Sequence, residues 1–114
     1  MTTTINATVY LNDTTTFRGR FGEGLPAQLR EATRFTAQLP AGDPAAAVIA
    51  LLRTVFDELN VDDPSTEWAQ QYRRDRNRSF SVGDVVVLGE TAWACASFGW
   101  DSISAEQLRD ALSH

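Results

Sequence analysis

The sequence predicts a small α+β domain, with a mostly antiparallel four-stranded sheet and helices packed on one face in the order β-β-α-α-β-β-α. Three observations carry this. Ile5, Ala7, Val9 and Leu11 alternate with Asn6, Thr8 and Tyr10, the period of a half-buried strand. Val48, Leu51, Leu52, Val55, Phe56 and Leu59 recur at helical spacing behind Asp43-Pro44. Two apolar runs flank Gly89-Glu90, the pattern of a hairpin.

After the first strand, Asn12-Asp13 begins a turn, and residues 13–28 read as a long loop holding Gly19, Gly22, Gly24 and Pro26. Leu29 to Leu39 alternates Ala32, Arg34, Thr36 and Gln38 against Thr33, Phe35, Ala37 and Leu39, and a strand is preferred there over a helix starting near Pro26. Asp43-Pro44 then starts the firmest helix: Asp is a good N-cap acceptor, and Pro suits the first turn because its missing N–H has no helical partner. Burying its six-residue stripe contributes on the order of 10 kcal/mol before chain entropy is subtracted. Asp63-Pro64 repeats the start signal for a short helix over Ser65 to Tyr72, which puts Trp68 and Tyr72 on one face.

Residues 73–79 read as a charged connector. Phe80, Val82, Asp84, Val86 and Leu88 alternate with Ser81, Gly83, Val85 and Val87 in the third strand. Gly89-Glu90 suits a type II′ turn. The return strand carries Trp93, Cys95 and Ser97 on one face and Ala92, Ala94, Ala96 and Phe98 on the other. The small alanine face leaves room for a bulky neighbour, and the helix Val48–Leu59 is the expected one. Ser104 and Gln107 fit a capping box for a final helix whose inner face is Leu108, Ala111 and Leu112.

The chain has 114 residues, which suits one domain over 1–114, and a chain of this size buries roughly 65% of its unfolded surface. Its content of 43% hydrophobic residues is that of a folded protein rather than a disordered one. The longest apolar runs, Ala45–Leu52 and Val85–Leu88, are too short to cross a bilayer, and Met1-Thr2-Thr3-Thr4 lacks the basic start of a secretion signal. With a single Cys, no internal disulfide is possible, so a cytoplasmic protein is expected. All ten basic residues are Arg, which fits a GC-rich genome. The net charge of −5 disfavours general binding to phosphate backbones.

Candidate chemistry is sparse. Cys95 needs a base to act as a nucleophile, and the one His is His114, at the chain's end. Cys95 therefore reads as a small buried hydrophobe. One Cys and one His do not make a zinc set, and Asp57, Glu58, Asp62, Asp63 and Glu67 lack the ligand alternation and mid-loop Gly of a calcium loop. No catalytic residue, metal or cofactor is expected. Arg18-Gly19-Arg20-Phe21-Gly22-Glu23-Gly24 lacks a following Lys-Ser/Thr and is no phosphate cradle. Arg18, Arg20 and Phe21 are instead candidates for protein contact, together with Trp100 beside a chain reversal. Arg73, Arg74, Arg76 and Arg78, near Tyr72 and Phe80, are the nucleic-acid alternative, though Asp75 interrupts them and a solvated connector is the preferred reading.

The stretch Arg78-Ser79-Phe80-Ser81-Val82-Gly83-Asp84-Val85-Val86, followed by Ala92-Trp93-Ala94-Cys95 and Phe98-Gly99-Trp100, resembles the C-terminal pattern of YodL-like domains found in proteins of bacterial plasmids, integrative elements and phages. The preceding helix and Asp62-Asp63-Pro64 extend the likeness over roughly the last two thirds of the chain, a typical span for one module. The resemblance implies an accessory protein of a mobile element, acting by binding a host or element-encoded protein rather than by turnover. A small acidic inhibitor of host defence, presenting carboxylates in place of DNA phosphates, is the second expectation, and nucleic-acid binding the third.

Overall fold

The alternating segment at the N-terminal end is an interior strand of the sheet, paired on both sides. A computed structural model describes residues 3–12, 29–39, 42–96 and 99–113, and places β1 (Thr3–Asn12) between β2 (Leu29–Leu39) and β3 (Val85–Leu88). β4 (Thr91–Cys95) and β5 (Trp100–Ile103) complete a five-stranded sheet of order β2-β1-β3-β4-β5, antiparallel at every pairing. The expected four strands are therefore five. The extra one, Trp100-Asp101-Ser102-Ile103, spans four residues and carries Asp and Ser, too short and too polar for periodicity to flag it.

The helices are α1 (Pro44–Asn60), α2 (Glu67–Arg74) and α3 (Ala105–Ser113). They do not share one face, as the sequence reading had it. Ala7, Val9 and Leu11 of β1, Val86 and Leu88 of β3, and Cys95 of β4 pack with Leu51, Leu52, Val55 and Leu59 of α1 and Ala69 and Tyr72 of α2. The alternate residues Val85, Ala92, Ala94 and Ile103 pack with Ala111 and Leu108 of α3. The alanine face thus receives α3, not α1. Alternation obliges this: Ala92 and Ala94 point away from the side on which Trp93 and Cys95 meet α1.

Between Val9 and Tyr10 the β1–β2 register slips, so that Val9 faces Thr33 while Tyr10 faces Glu31 and Ala32 is the extra residue of a bulge. The slip moves Leu29 onto the α3 side, while Phe35, Ala37 and Leu39 stay on the α1–α2 side. There Trp68 of α2 stacks flat on Phe35, with centroids 3.8 Å apart and planes 2° from parallel. Trp68 and Tyr72 share one face of α2, as their spacing requires.

The helix ends are only partly as expected. Pro44 occupies the first turn of α1, but the Asp43 side chain makes no capping bond. α2 begins at Glu67 rather than at Ser65, and it extends through Arg73 and Arg74, so the charged connector starts at Asp75. Glu58 organises the approach, its carboxylate accepting from the Ser65 N–H and hydroxyl and from the Thr66 N–H. Burial pushes its pKa up, but those hydrogen bonds prevail and hold it below the ordinary value. At α3 the capping box is reciprocal: Gln107 N–H donates to Ser104 Oγ (3.0 Å), and Ser104 N–H donates to Gln107 Oε1 (2.9 Å).

The hairpin turn is the two-residue loop expected from Gly89-Glu90. Leu88 faces Thr91, Gly89 has φ +61°, and Glu90 is not among the positive-φ residues, as a type II′ turn requires. The Gly89 N–H also donates to the Asn6 carbonyl (2.8 Å), and a Cβ on Gly89 would lie 3.4 Å from two Ile5 side-chain carbons. Replacing Gly89 with Ala is expected to cost about 1 kcal/mol or more from the positive φ alone. A urea midpoint indistinguishable from the parent would contradict this.

Candidate functional site

The third strand as read from sequence, Phe80–Leu88, is strand only from Val85. The five residues before it fold into a loop, and the reason is Asp84. Its side chain is wholly buried, yet it lies in a run of apolar residues. A carboxylate there must be both paired and hydrogen-bonded. Arg78, six residues earlier, supplies a two-pronged partner: its Nη1 lies 2.6 Å from Oδ2 and its Nη2 2.7 Å from Oδ1. Two backbone donors complete the shell, Asn12 N–H to Oδ1 (2.7 Å) and Ser81 N–H to Oδ2 (2.8 Å).

The loop is built to let this happen. Asp84 N–H donates to the Ser81 carbonyl (3.0 Å), closing a four-residue turn with Gly83 in its third position at φ +95°, where a side chain would be strained. The Cys95 N–H then donates to the Asp84 carbonyl (2.8 Å) and the Gly83 N–H to the Cys95 carbonyl (2.9 Å), tying the turn to the end of β4. Arg78 Nη2 also donates to the Asn12 carbonyl (2.8 Å), and Asn12 Nδ2 to the Gly83 carbonyl (3.3 Å). The Tyr72 hydroxyl donates to the Arg78 carbonyl. One ion pair thus joins the end of β1, the end of α2, the 78–84 loop and β4. Sequence reading missed it. The usable signal was a lone carboxylate on the apolar side of an alternating run with an Arg close upstream.

Beside this cluster lie the two groups that chemistry would most want. Cys95 is buried, and its Sγ approaches the Ala96 carbonyl. Burial first, and then the negative charge of Asp84, push its thiol from 9.0 up to about 11. The same two causes, in the same order, push the Tyr72 phenol from 10.0 up to about 12 against the opposing charges of Arg78 and Arg30. Both shifts favour the neutral form. A nucleophilic cysteine needs the reverse environment, one that favours thiolate. A thiol reagent at pH 8 is therefore expected to leave Cys95 unmodified in the native protein and to modify it fully in urea. Immediate stoichiometric labelling of the folded chain would contradict that. The linkage has a definite sign. The folded state holds protons that the unfolded state has already released, so this stabilising contribution is complete below pH 9 and is lost as pH climbs from 9 through 12. Urea midpoints should fall over that window, and fall less in a Tyr72→Phe, Cys95→Ala variant.

The other candidate residues are not brought together. Arg18, Arg20 and Phe21 lie outside the described residues. Trp100 opens β5 half-buried, its ring tilted against Phe80 (5.8 Å) and edge-on to Phe56 (6.5 Å), so most of it covers the core margin. Of the four arginines in the nucleic-acid alternative, Arg78 is committed to Asp84, Arg73 reaches the Val61 carbonyl (3.0 Å), and Arg74 reaches Gln71 (2.8 Å). Their aromatic neighbours Tyr72 and Phe80 are buried, which removes them as stacking surfaces. Among the described residues no group of three or more His, Cys, Asp or Glu is placed to hold a metal, and no helix is long and apolar enough to cross a membrane.

Among the described residues lie two open depressions. One of about 570 Å³ runs along the outer side of α1 past Ala46, Ile49, Ala50 and Arg53; one of about 410 Å³ lies on the sheet beside Asn6, Thr8, Arg34 and Thr36. Neither gathers a nucleophile and a base. No family model, no curated protein and no solved structure matches the chain.

Proposed function

We propose that the chain is a non-catalytic protein-binding module, an accessory protein of a bacterial plasmid or phage. The observation that carries the reading is the Arg78–Asp84 pair. The segment most suggestive of a signature spends its distinctive residues on architecture: Arg78, Ser81, Gly83 and Asp84 satisfy one another and the neighbouring backbone. The nearby thiol and phenol are buried and held neutral. The resemblance to YodL-like domains then supplies the setting, a mobile element and a host or element-encoded protein partner.

The carboxylate distribution favours this over mimicry of DNA phosphates by an inhibitor of host defence. Asp57 and Glu67 ride on α1 and α2 on one side of the sheet, whereas Glu106 and Asp110 ride on α3 on the other. A phosphate mimic needs its charges aligned on one surface.

Crosslinking the full chain in cells that carry its native element, with mass spectrometry of the adducts, tests the reading. One discrete protein partner is expected, retained when Cys95 is Ala. Recovery of nucleic acid alone would overturn it.

A further inference from the structure

The end of α2 contains a residue in a conformation it does not favour. Arg76 has φ +63°, and it is the only non-glycine residue among those described with a positive φ. Its backbone closes a Schellman cap: Asn77 N–H donates to the Tyr72 carbonyl (3.4 Å) and Arg76 N–H to the Arg73 carbonyl (2.9 Å). Glycine makes this cap without strain, and arginine does not. Among the described residues no hydrogen bond or ion pair of the Arg76 guanidinium offsets the strain.

Its surroundings give that charge a context. Arg73 and Arg74 occupy the last turn of α2, bonded to a backbone carbonyl and an amide rather than to a carboxylate. Arg30 of β2 adjoins through Asn77 Oδ1 (3.2 Å). Asp75, the one acid in the stretch, already accepts from the Gln71 amide (2.8 Å). In a chain of net charge −5 the end of α2 thus gathers several basic side chains. The helix dipole favours Arg73, Arg74 and Arg76 alike, but glycine would serve the cap at position 76 without strain.

We propose that Arg73, Arg74 and Arg76 form the docking surface for an acidic segment of the partner protein. This rests on the protein-binding reading and deepens it. Unstrained alternatives at position 76 are available, and strain of this kind is retained at functional sites. An acidic peptide is favoured over nucleic acid because, among the described aromatics near these arginines, Tyr72 and Phe80 are buried and Trp68 stacks on Phe35, so they serve the core rather than base stacking.

The test is fluorescence anisotropy of the full chain with a labelled peptide of alternating Glu and Ser, against a neutral Gln-Ser peptide and a single-stranded oligonucleotide of equal charge. Salt is varied because the contacts are exposed. The acidic peptide is expected to bind, and to weaken at least about tenfold when Arg74 and Arg76 become Glu. Arg76→Gly is expected to raise the thermal midpoint by a few degrees while weakening binding, and Arg76→Lys to keep most of the binding. That opposed pair separates a functional role from a fold defect. Binding no tighter than to the neutral peptide, or indifferent to charge reversal, overturns the proposal. Tighter oligonucleotide binding through the same arginines overturns it in favour of nucleic acid. In cells, a charge-reversed chain that still crosslinks to the parent's partner removes this surface and leaves the protein-binding reading standing; a parent chain that crosslinks to no protein removes that reading itself.

Discussion

Asp84→Ala is expected to lower stability by about 3–5 kcal/mol, the largest loss from any one polar side chain in this fold. The carboxylate is wholly buried and accepts four hydrogen bonds, two from Arg78 and one each from the backbones of Asn12 and Ser81. Arg78 is 43% exposed along its side chain and can turn its charge toward water once Asp84 is gone. The two backbone donors cannot, because the strand end and the turn hold them. Much of the cost is therefore orphaned N–H groups, each about 1–3 kcal/mol, rather than the lost ion pair. Asp84→Asn should be nearly as damaging, since its amide –NH2 would face a donor. The check is urea unfolding followed by both far-UV circular dichroism and tryptophan fluorescence. A loss below about 1 kcal/mol would mean that the cluster is solvated and not structural.

Phe80→Ala is expected to cost a similar amount, about 3–5 kcal/mol, by a different route. The ring is 2% exposed and meets Phe56 edge-on at 6.1 Å and Trp100 at 5.8 Å. Its backbone is fixed by Asn60, whose side chain accepts from the Phe80 N–H (2.7 Å) and donates to the Phe80 carbonyl (3.0 Å). The main chain therefore cannot collapse into the space the ring vacates, and the cavity persists. Trp100 loses a supporting face, so its emission should shift to the red in the native state. A variant with native emission and a small stability loss would show that the aromatic cluster repacks freely.

The parts of the fold that were legible in the sequence are those set by local chemistry. The apolar stripe from Val48 to Leu59, the Ser104–Gln107 box and the glycine at position 89 each answer to neighbours a few residues away, and each forms as its pattern implies. The parts that were not legible depend on partners far along the chain. α3 sits opposite α1 because Ala92 and Ala94 point there, and an alanine face says only that a neighbour is close, not which one. The bulge at Ala32 reverses the facing of Leu29 without any glycine to announce it. Asp84 was hidden by its own alternation. Counted as one more residue of a strand, it sits on the apolar face, and its significance comes from Arg78 and from Asn12, 72 residues away. The candidate site followed the same rule. Arg78 reads in sequence as one of four surface arginines, and its role becomes visible only once its partner is in place.

The central claim is that the Arg78–Asp84 pair holds this part of the fold together, and a double-mutant cycle on that pair tests it most directly. Arg78→Ala, Asp84→Ala and the double variant would be unfolded in urea alongside the parent. Arg78→Ala alone leaves a buried charge with only two backbone donors, so each single change should be severe and the double change much milder than their total, with a coupling of about 2 kcal/mol or more. Two mild, additive losses, with coupling below about 0.5 kcal/mol, would contradict the account.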